Sequence, residues 1–222
     1  MTASRRKTRY RLKKTKKARM QAAVTLVGIL LILGGLLHAV VGLLWPVHYL
    51  DAAQSEIDGI PLYTDFLEEA WRGRTGETHR IKWLVIHETG NSAAGADAAM
   101  HNRYLHSEEQ KEIPLSWHYT VDDHQIYHHL PDSERGYHAS DSGVSGGGND
   151  CGIGIEICVN EDGDYDKAVD NAAHLAAELV KRYHLSIDDV KQHGDFTNKN
   201  CPEHLREGDN YEKFLKKIKK YM

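Results

Sequence analysis

Residues 152–183 read GIGIEICVNEDGDYDKAVDNAAHLAAELVKRY, and this stretch decides the fold class of the chain. From Gly152 to Val159 isoleucine alternates with other residues, which is the period-two pattern of a strand that turns its isoleucines to one face. From Asp166 to Tyr183 apolar residues recur every three or four positions, which is typical of an amphipathic helix. A strand followed directly by such a helix predicts an α/β arrangement.

The sequence on either side continues this alternation of strands and helices. The apolar run IKWLVI at 81–86 predicts a buried strand, and the segments 116–121 and 125–130 predict a hairpin. The other predicted elements are a helix at 96–105, a Gly- and Ser-rich loop at 136–150, a strand at 190–192 and a helix at 211–222. These elements predict one α/β domain over residues 76–222.

An apolar segment precedes the domain. Residues 22–45 contain no charged side chain, and a helix of this length would extend about 36 Å, enough to cross a hydrocarbon core of about 30 Å. A secretory signal peptide is the alternative, but its apolar region is shorter and is followed by a small-residue cleavage site, whereas this segment ends in LLWP. We therefore predict one transmembrane helix, followed at 46–75 by a juxtamembrane stalk or a short helix from Leu62 to Trp71 that leads into the domain.

Charge is divided very unevenly along the chain. Residues 1–20 carry ten of the 28 Lys and Arg, which leaves 18 for the rest of the chain against 32 Asp and Glu. A basic segment beside a membrane helix stays in the cytoplasm, so residues 1–21 are predicted to be a cytoplasmic tail and the domain to lie outside. A nuclear-localisation or nucleic-acid-binding run is the alternative for the tail, but a spanning helix follows it. The acidic remainder would repel nucleic acid.

Two histidines and one cysteine stand out chemically. His87 follows a predicted buried strand, His193 follows a second short strand, and Cys201 comes eight residues later, before a proline. Two imidazoles and a thiolate suit zinc, and three protein ligands leave the fourth position open, as in catalytic zinc sites. On spacing alone the alternative stays open that these are a buried cysteine and two structural histidines.

Five short motifs make the sequence recognisable. They are VIH at 85–87 with Thr-Gly two residues on, SWHY at 116–119, GYHA at 136–139, NDCGIGIE at 149–156, and His193 followed by Cys201-Pro202. In this order they resemble the zinc-dependent N-acetylmuramoyl-L-alanine amidases of the type-2 family, relatives of phage lysozyme-type amidases and peptidoglycan recognition proteins. The resemblance runs from Arg80 to Leu205. It implies a single domain with a central mixed β-sheet flanked by helices.

The resemblance also implies roles for single residues. His87, His193 and Cys201 would hold zinc, Glu156 would transfer a proton, and Lys199 would stabilise the developing oxyanion. Two positions depart from the family pattern. Trp117 stands where some members have a catalytic tyrosine, and His138 follows a tyrosine where members often have tryptophan. We expect both Trp117 and His138 to bind substrate.

The implied activity is hydrolysis of the amide bond between N-acetylmuramic acid and L-alanine in bacterial peptidoglycan, by zinc-activated water. The main alternative is a membrane-anchored peptidoglycan-binding or sensing module without catalysis. Relatives of that kind typically lose the metal thiolate, whereas Cys201 and Lys199 are both present. A zinc amidase acting on free muropeptides and a pure membrane tether are further alternatives. The predicted location is the cell membrane, single-pass, with the N-terminus cytoplasmic and the catalytic domain extracellular.

Disulfides are not expected. Cys151 and Cys158 are seven residues apart, which in an extended strand separates their Cα atoms by about 23 Å, whereas a disulfide needs less than about 7 Å. Cys201, as a metal ligand, would be a thiolate. All three cysteines are therefore predicted to be free.

Overall fold

A computed structural model of the protein describes residues 55–222. The predicted cytoplasmic tail at 1–21 and transmembrane helix at 22–45 lie outside the described residues. Within 55–222, no helix combines the length and the apolar character needed to cross a bilayer.

Within residues 55–222, seven strands and four helices form an α/β fold around one sheet. In chain order the elements are β1 (Glu56–Ile57), β2 (Ile60–Thr64), β3 (Trp83–Glu88), α1 (Ala98–Leu105), β4 (Tyr119–Val121), β5 (Ile126–His128), α2 (Gly148–Cys151), β6 (Gly152–Ile157), α3 (Tyr165–Arg182), β7 (Val190–Gln192) and α4 (Asn210–Tyr221). Three 3-10 turns lie at Glu108–Gln110, Ile187–Asp189 and His193–Asp195.

The sheet is mixed, in the order β1-β2-β5-β4-β6-β3-β7. The pairs β1/β2 and β4/β5 are antiparallel, and the other four neighbouring pairs are parallel. Strands β4, β6, β3 and β7 therefore all point the same way and end at one edge. This confirms the mixed sheet flanked by helices.

One face of the sheet carries the main hydrophobic core. Alternate residues of β3 and β6 point to this face and are fully buried, as the period-two pattern predicts. Helices α3 and α4 contribute to the same core, and Asp164 caps α3 by accepting a hydrogen bond from the backbone N–H of Lys167. Each aliphatic side chain buried here stabilises the fold by about 1.5–3 kcal/mol. This core holds the sheet rigid, and the polar residues described next lie on the opposite face.

The second face carries the polar residues of interest and a smaller apolar cluster. The members of this cluster are Leu67, Trp71, Leu105, Trp117 and Leu130. His87 lies between Ile86 and Glu88, so its side chain points to the second face. The register pairs His87 of β3 with Glu156 of β6. A histidine and a carboxylate thus lie side by side near the end of two parallel strands.

The predicted stalk is partly wrong, because residues 56–64 belong to the sheet. The segment IPLYT at 60–64 forms β2, whose Ile60 and Leu62 are buried while Pro61 and Tyr63 are exposed. Strand β2 pairs in parallel with β5, so there is no helix from Leu62 to Trp71. The sheet therefore begins before the predicted domain boundary at residue 76.

The other predicted elements are confirmed with small shifts of their ends. The strand predicted at 81–86 is β3, which begins and ends two residues later than predicted. The loop at 136–150 ends in the short helix α2. All three cysteines are free and buried, as expected.

Candidate active site

His87, His193 and Cys201 come together at the carboxyl edge of the sheet. The Nδ1 atoms of His87 and His193 lie 3.0 Å apart, and Cys201 Sγ lies 3.9 Å from His87 Nδ1. The three potential ligand atoms all lie within 4.8 Å of one another, and all three side chains are buried. The three residues that the sequence predicts to hold a metal therefore lie together at one point.

The strand topology explains why the three residues meet. His87 is the fifth residue of β3, and β7 runs parallel to β3 and ends at Gln192, directly before His193. The chain then turns back, and the N–H of Gly194 donates to the carbonyl oxygen of Cys201 at 2.9 Å. Functional groups in open α/β sheets collect at this edge because parallel strands end there together.

The donor set fits a zinc ion. Tetrahedral zinc separates two nitrogen ligands by about 3.3 Å, and nitrogen from sulfur by about 3.6 Å. The observed 3.0 and 3.9 Å lie close to these values. Burial, with the nearby Lys199 charge, lowers the pKa of His193 to about 4, and burial lowers that of His87 well below its usual value. Both imidazoles are therefore neutral at pH 7 and can ligate a metal.

The Cys201 thiol points to the same conclusion. Burial, assisted by the Glu156 charge, raises its pKa to about 11. The thiol alone would therefore stay protonated at neutral pH, whereas a coordinated dication deprotonates it. The three residues form a possible His-His-Cys metal site.

His138 lies behind His87 and is almost fully buried. Its Nδ1 lies 3.1 Å from His87 Nε2, and its Nε2 lies 3.3 Å from the carbonyl oxygen of Gly152. Because burial lowers the pKa of His138 to about 3, the ring is neutral. Its Nε2 then donates to Gly152, its Nδ1 accepts from His87 Nε2, and His87 Nδ1 keeps its lone pair for a metal.

That His138 binds substrate stays a prediction, and its contacts indicate a second role. Its ring lies against Gly154, where a Cβ would come within 2.7 Å of it. The side chain is enclosed between the strand and His87, so its contacts are those of a residue that orients a metal ligand.

Substrate binding by Trp117 also stays a prediction, and the structure places its side chain in apolar surroundings. Its side chain is only 6% exposed and packs in the smaller apolar cluster, and its indole N–H donates to Thr120 Oγ1 at 2.7 Å. Tyr119, the nearest tyrosine, lies in the main core and donates to Asp132. Both aromatic side chains are therefore buried.

Glu156 lies beside the metal ligands. Its Oε1 is 3.9 Å from His87 Nδ1, and its buried Oε2 has no hydrogen-bond partner among the described residues. Burial raises the pKa of Glu156 to about 8, with the Lys199 charge opposing this shift and the Glu88 charge adding to it. A carboxyl group that titrates near neutrality can both take up and release a proton.

Lys199 is exposed on the loop that carries Cys201. Its charge lowers the pKa of His87, His193, Cys201 and Glu156. The ammonium group is therefore close enough to act electrostatically on the whole site.

One residue of this region was not identified from the sequence. Glu88, directly after His87, is a buried carboxylate that contacts the segment after Cys201. The signal that could have identified it is an acidic residue directly after His87 at the end of a predicted buried strand.

Comparisons with known proteins agree with this geometry. The family model described as N-acetylmuramoyl-L-alanine amidase matches residues 77–204. The chain is 41% identical over 146 residues to the N-acetylmuramoyl-L-alanine amidase XlyA of Bacillus subtilis (strain 168), covering 66% of this chain and 48% of XlyA. It is 40% identical over 159 residues to the amidase CwlH of the same organism, covering 72% and 61%.

The solved structure of the catalytic domain of XlyA is similar in fold, with a TM-score of 0.67 and 40% identity. The match covers 72% of this chain and 99% of that domain. The chain thus spans about half to three fifths of the length of the two curated relatives, but nearly all of the solved catalytic domain.

Proposed function

Because the chain belongs to the N-acetylmuramoyl-L-alanine amidase family, we propose that it hydrolyses the amide bond between N-acetylmuramic acid and the L-alanine of the peptidoglycan stem peptide. The observation that carries the proposal is that His87, His193 and Cys201 lie together beside a largely buried carboxylate on the neighbouring strand. A module that only bound the wall would have no need for a thiol and an unpartnered carboxylate oxygen at one buried point.

The metal in this proposal is zinc, held by His87, His193 and Cys201. When bound, zinc supplies Lewis acidity, which polarises a carbonyl and lowers the pKa of water towards about 7. The arrangement of His138 behind His87 supports this choice, since a neutral imidazole with its outer nitrogen engaged presents a fixed lone pair.

Glu156 and Lys199 complete the proposed chemistry. The Glu156 carboxylate takes a proton from the attacking water and passes it to the departing amine of L-alanine. Its raised pKa suits both steps, because the group is neither a strong acid nor permanently ionised near neutral pH. The Lys199 ammonium stabilises the negative charge that develops on the carbonyl oxygen.

We place the enzyme at the outer face of the cell membrane. The basic tail at 1–20 and the uncharged segment at 22–45 favour a single-pass anchor with its N-terminus in the cytoplasm. Confinement beside the wall raises the effective concentration of substrate, as tethering does for any linked binding site.

The proposal is tested on purified peptidoglycan with the full chain in detergent. We expect new L-alanine amino termini and no new reducing sugar ends, with loss of activity on zinc chelation and recovery on zinc addition. Cys201→Ser should abolish both activity and zinc retention, while Cys151→Ser, at another buried free cysteine, should preserve both. Binding of the wall without new amino termini, with zinc present, would support the binding module and overturn the amidase.

A further inference from the structure

Glu88 is a buried carboxylate that the proposed chemistry does not use. Its side chain is 3% exposed, and it follows His87 directly at the end of β3. A carboxylate in such a place is costly unless donors satisfy it. Its contacts therefore indicate what it does.

Four donors surround the two Glu88 oxygens. Oε2 accepts from the backbone N–H of His204 at 3.0 Å and from its Nδ1 at 2.8 Å. Oε1 accepts from the backbone N–H of Leu205 at 3.1 Å and from the Tyr165 hydroxyl at 2.6 Å. Three of the four bonds hold the segment 201–205, and the fourth comes from the first turn of α3.

The segment 201–205 crosses the carboxyl end of β3. Successive residues of a strand point to opposite faces, so His87 and Glu88 project to the two sides. Cys201 lies on the side of His87, whereas Leu205 is buried in the main core on the side of Glu88. Glu88 therefore holds the segment on one face of the strand, and the Cys201 thiol lies on the other face.

We propose that Glu88 is a positioning residue for the metal site, which sets the place of Cys201 by holding His204 and Leu205. This inference rests on the proposed metal site and adds a residue that acts through the ligand-bearing segment without touching the metal. Three hydrogen bonds from one rigid strand end hold the segment before any metal arrives. The carboxylate is required because every partner group is a donor, and an amide would present its own donors to some of them.

The test measures metal binding by the full chain in detergent. We expect Glu88→Gln to weaken zinc affinity by about 10- to 100-fold, the usual loss when a group behind a metal ligand is changed. Affinity is read by competition with a chelating dye. With Co²⁺ as probe, the sulfur-to-metal absorption band should weaken or shift, because the thiolate is displaced.

Two controls separate positioning from general stability. Glu203→Gln makes the same substitution at an exposed position of the same segment and should leave zinc affinity unchanged. Tyr165→Phe removes one bond to Glu88 without releasing the segment, so it should lower the melting temperature while keeping zinc affinity near that of the parent. A third variant, His204→Ala, keeps both backbone bonds to Glu88 and should lose less zinc affinity than Glu88→Gln. It replaces Glu88→Gln in the test if that variant does not fold.

The proposal is overturned if Glu88→Gln, or His204→Ala in its place, binds zinc and gives the cobalt spectrum of the parent chain. It is also overturned if Tyr165→Phe loses as much affinity as Glu88→Gln, since stability alone would then account for the effect. Zinc binding is measured without substrate. If the zinc affinity of the chain depends on Glu88 but the parent chain does not cleave peptidoglycan, the proposed function is refuted and this inference stands.

Discussion

Glu88 is a buried carboxylate and Glu156 a largely buried one, and their surroundings differ. Four donors reach Glu88, whereas Glu156 Oε2 has no partner among the described residues. Hydrogen-bond donors stabilise the ionised form of a carboxyl group, and burial without them destabilises it. Burial therefore dominates at Glu156 and raises its pKa to about 8. The Glu88 carboxylate, which four donors satisfy, therefore stabilises the structure, and the unsatisfied carboxyl group of Glu156 fits the proton transfer proposed for it.

Replacement of Glu156 tests this division of roles. We expect Glu156→Gln to lower the rate of peptidoglycan cleavage by about 10²- to 10⁴-fold, because the amide cannot take up a proton. Zinc content should be unchanged, since Glu156 is not among the three ligands. Rates and bound zinc are measured on the same preparation. Glu161→Gln, an exposed neighbour, is the control, and an equal loss in both variants would contradict the role.

The spatial grouping of the three candidate metal ligands could be predicted from the sequence, but the side-chain positions of Trp117 and His138 could not. His87, His193 and Cys201 each follow a predicted strand or stand in a recognisable motif, and parallel strands bring such positions to one edge. The motifs around Trp117 and His138 say nothing of side-chain direction. Trp117 precedes its strand and turns into the smaller apolar cluster, and His138 packs on a glycine behind His87. These directions depend on contacts between segments far apart in the chain.

At the scale of elements, β2 shows why the domain boundary was placed too late. Its sequence IPLYT contains a proline, which weakens a strand prediction because proline lacks an N–H donor. Its partner β1 has only two residues, too few to leave a periodic pattern. The strand is fixed by long-range pairing with β5, and Leu67 and Trp71 after it fill the smaller cluster.

Truncation tests where the domain begins. A chain of residues 55–222 should unfold cooperatively on heating. A chain of residues 76–222 should not, because it lacks β1 and β2, uncovers the edge of β5 and loses Leu67 and Trp71 from the cluster. Thermal unfolding by circular dichroism and dye binding by exposed apolar surface distinguish the two fragments. A cooperative transition in the shorter fragment would show that the first two strands are dispensable.

A buried network joins the hairpin β4–β5 to the end of α3. Asp132 accepts from the hydroxyls of Tyr119 and Tyr183 and lies 3.2 Å from His128 Nε2. Burial alone would raise the pKa of Asp132, but the hydrogen bond and charge of His128 and the Tyr183 hydroxyl together bring it below its usual value. The ionised carboxylate is therefore the form that stabilises the fold.

The pH dependence of stability reports on this network. Because the folded pKa of Asp132 lies below the unfolded value of about 3.9, its contribution is complete above about pH 4 and is lost as the pH falls through the folded pKa. Asp132→Asn should lower the free energy of unfolding at pH 7 by about 1–3 kcal/mol. The difference from the parent should shrink at pH 3. Urea unfolding at both pH values measures it, and a constant difference would contradict the expectation.

At the scale of the whole molecule, the uneven distribution of charge gives the two ends of the chain opposite interactions with an anionic membrane surface. The first 20 residues carry ten basic side chains and no acid, while the rest of the chain has 32 acids and 18 bases. Anionic lipid headgroups on the cytoplasmic side attract a basic segment by about 1 kcal/mol per residue near the surface. No such attraction holds the acidic domain at a membrane. A basic tail, an apolar segment and an acidic domain therefore favour one orientation.

Protease accessibility tests this orientation. If the tail is cytoplasmic, a protease added outside intact spheroplasts should digest the domain and leave a small membrane-bound fragment that contains residues 1–45. Replacing the ten basic residues of the tail by glutamine should reduce the fraction of domain exposed outside, since the charge asymmetry sets the orientation. Protection of the domain in the parent chain, with digestion only after lysis, would place it in the cytoplasm and separate it from the wall. Release of the domain into the medium without protease would favour a cleaved signal peptide.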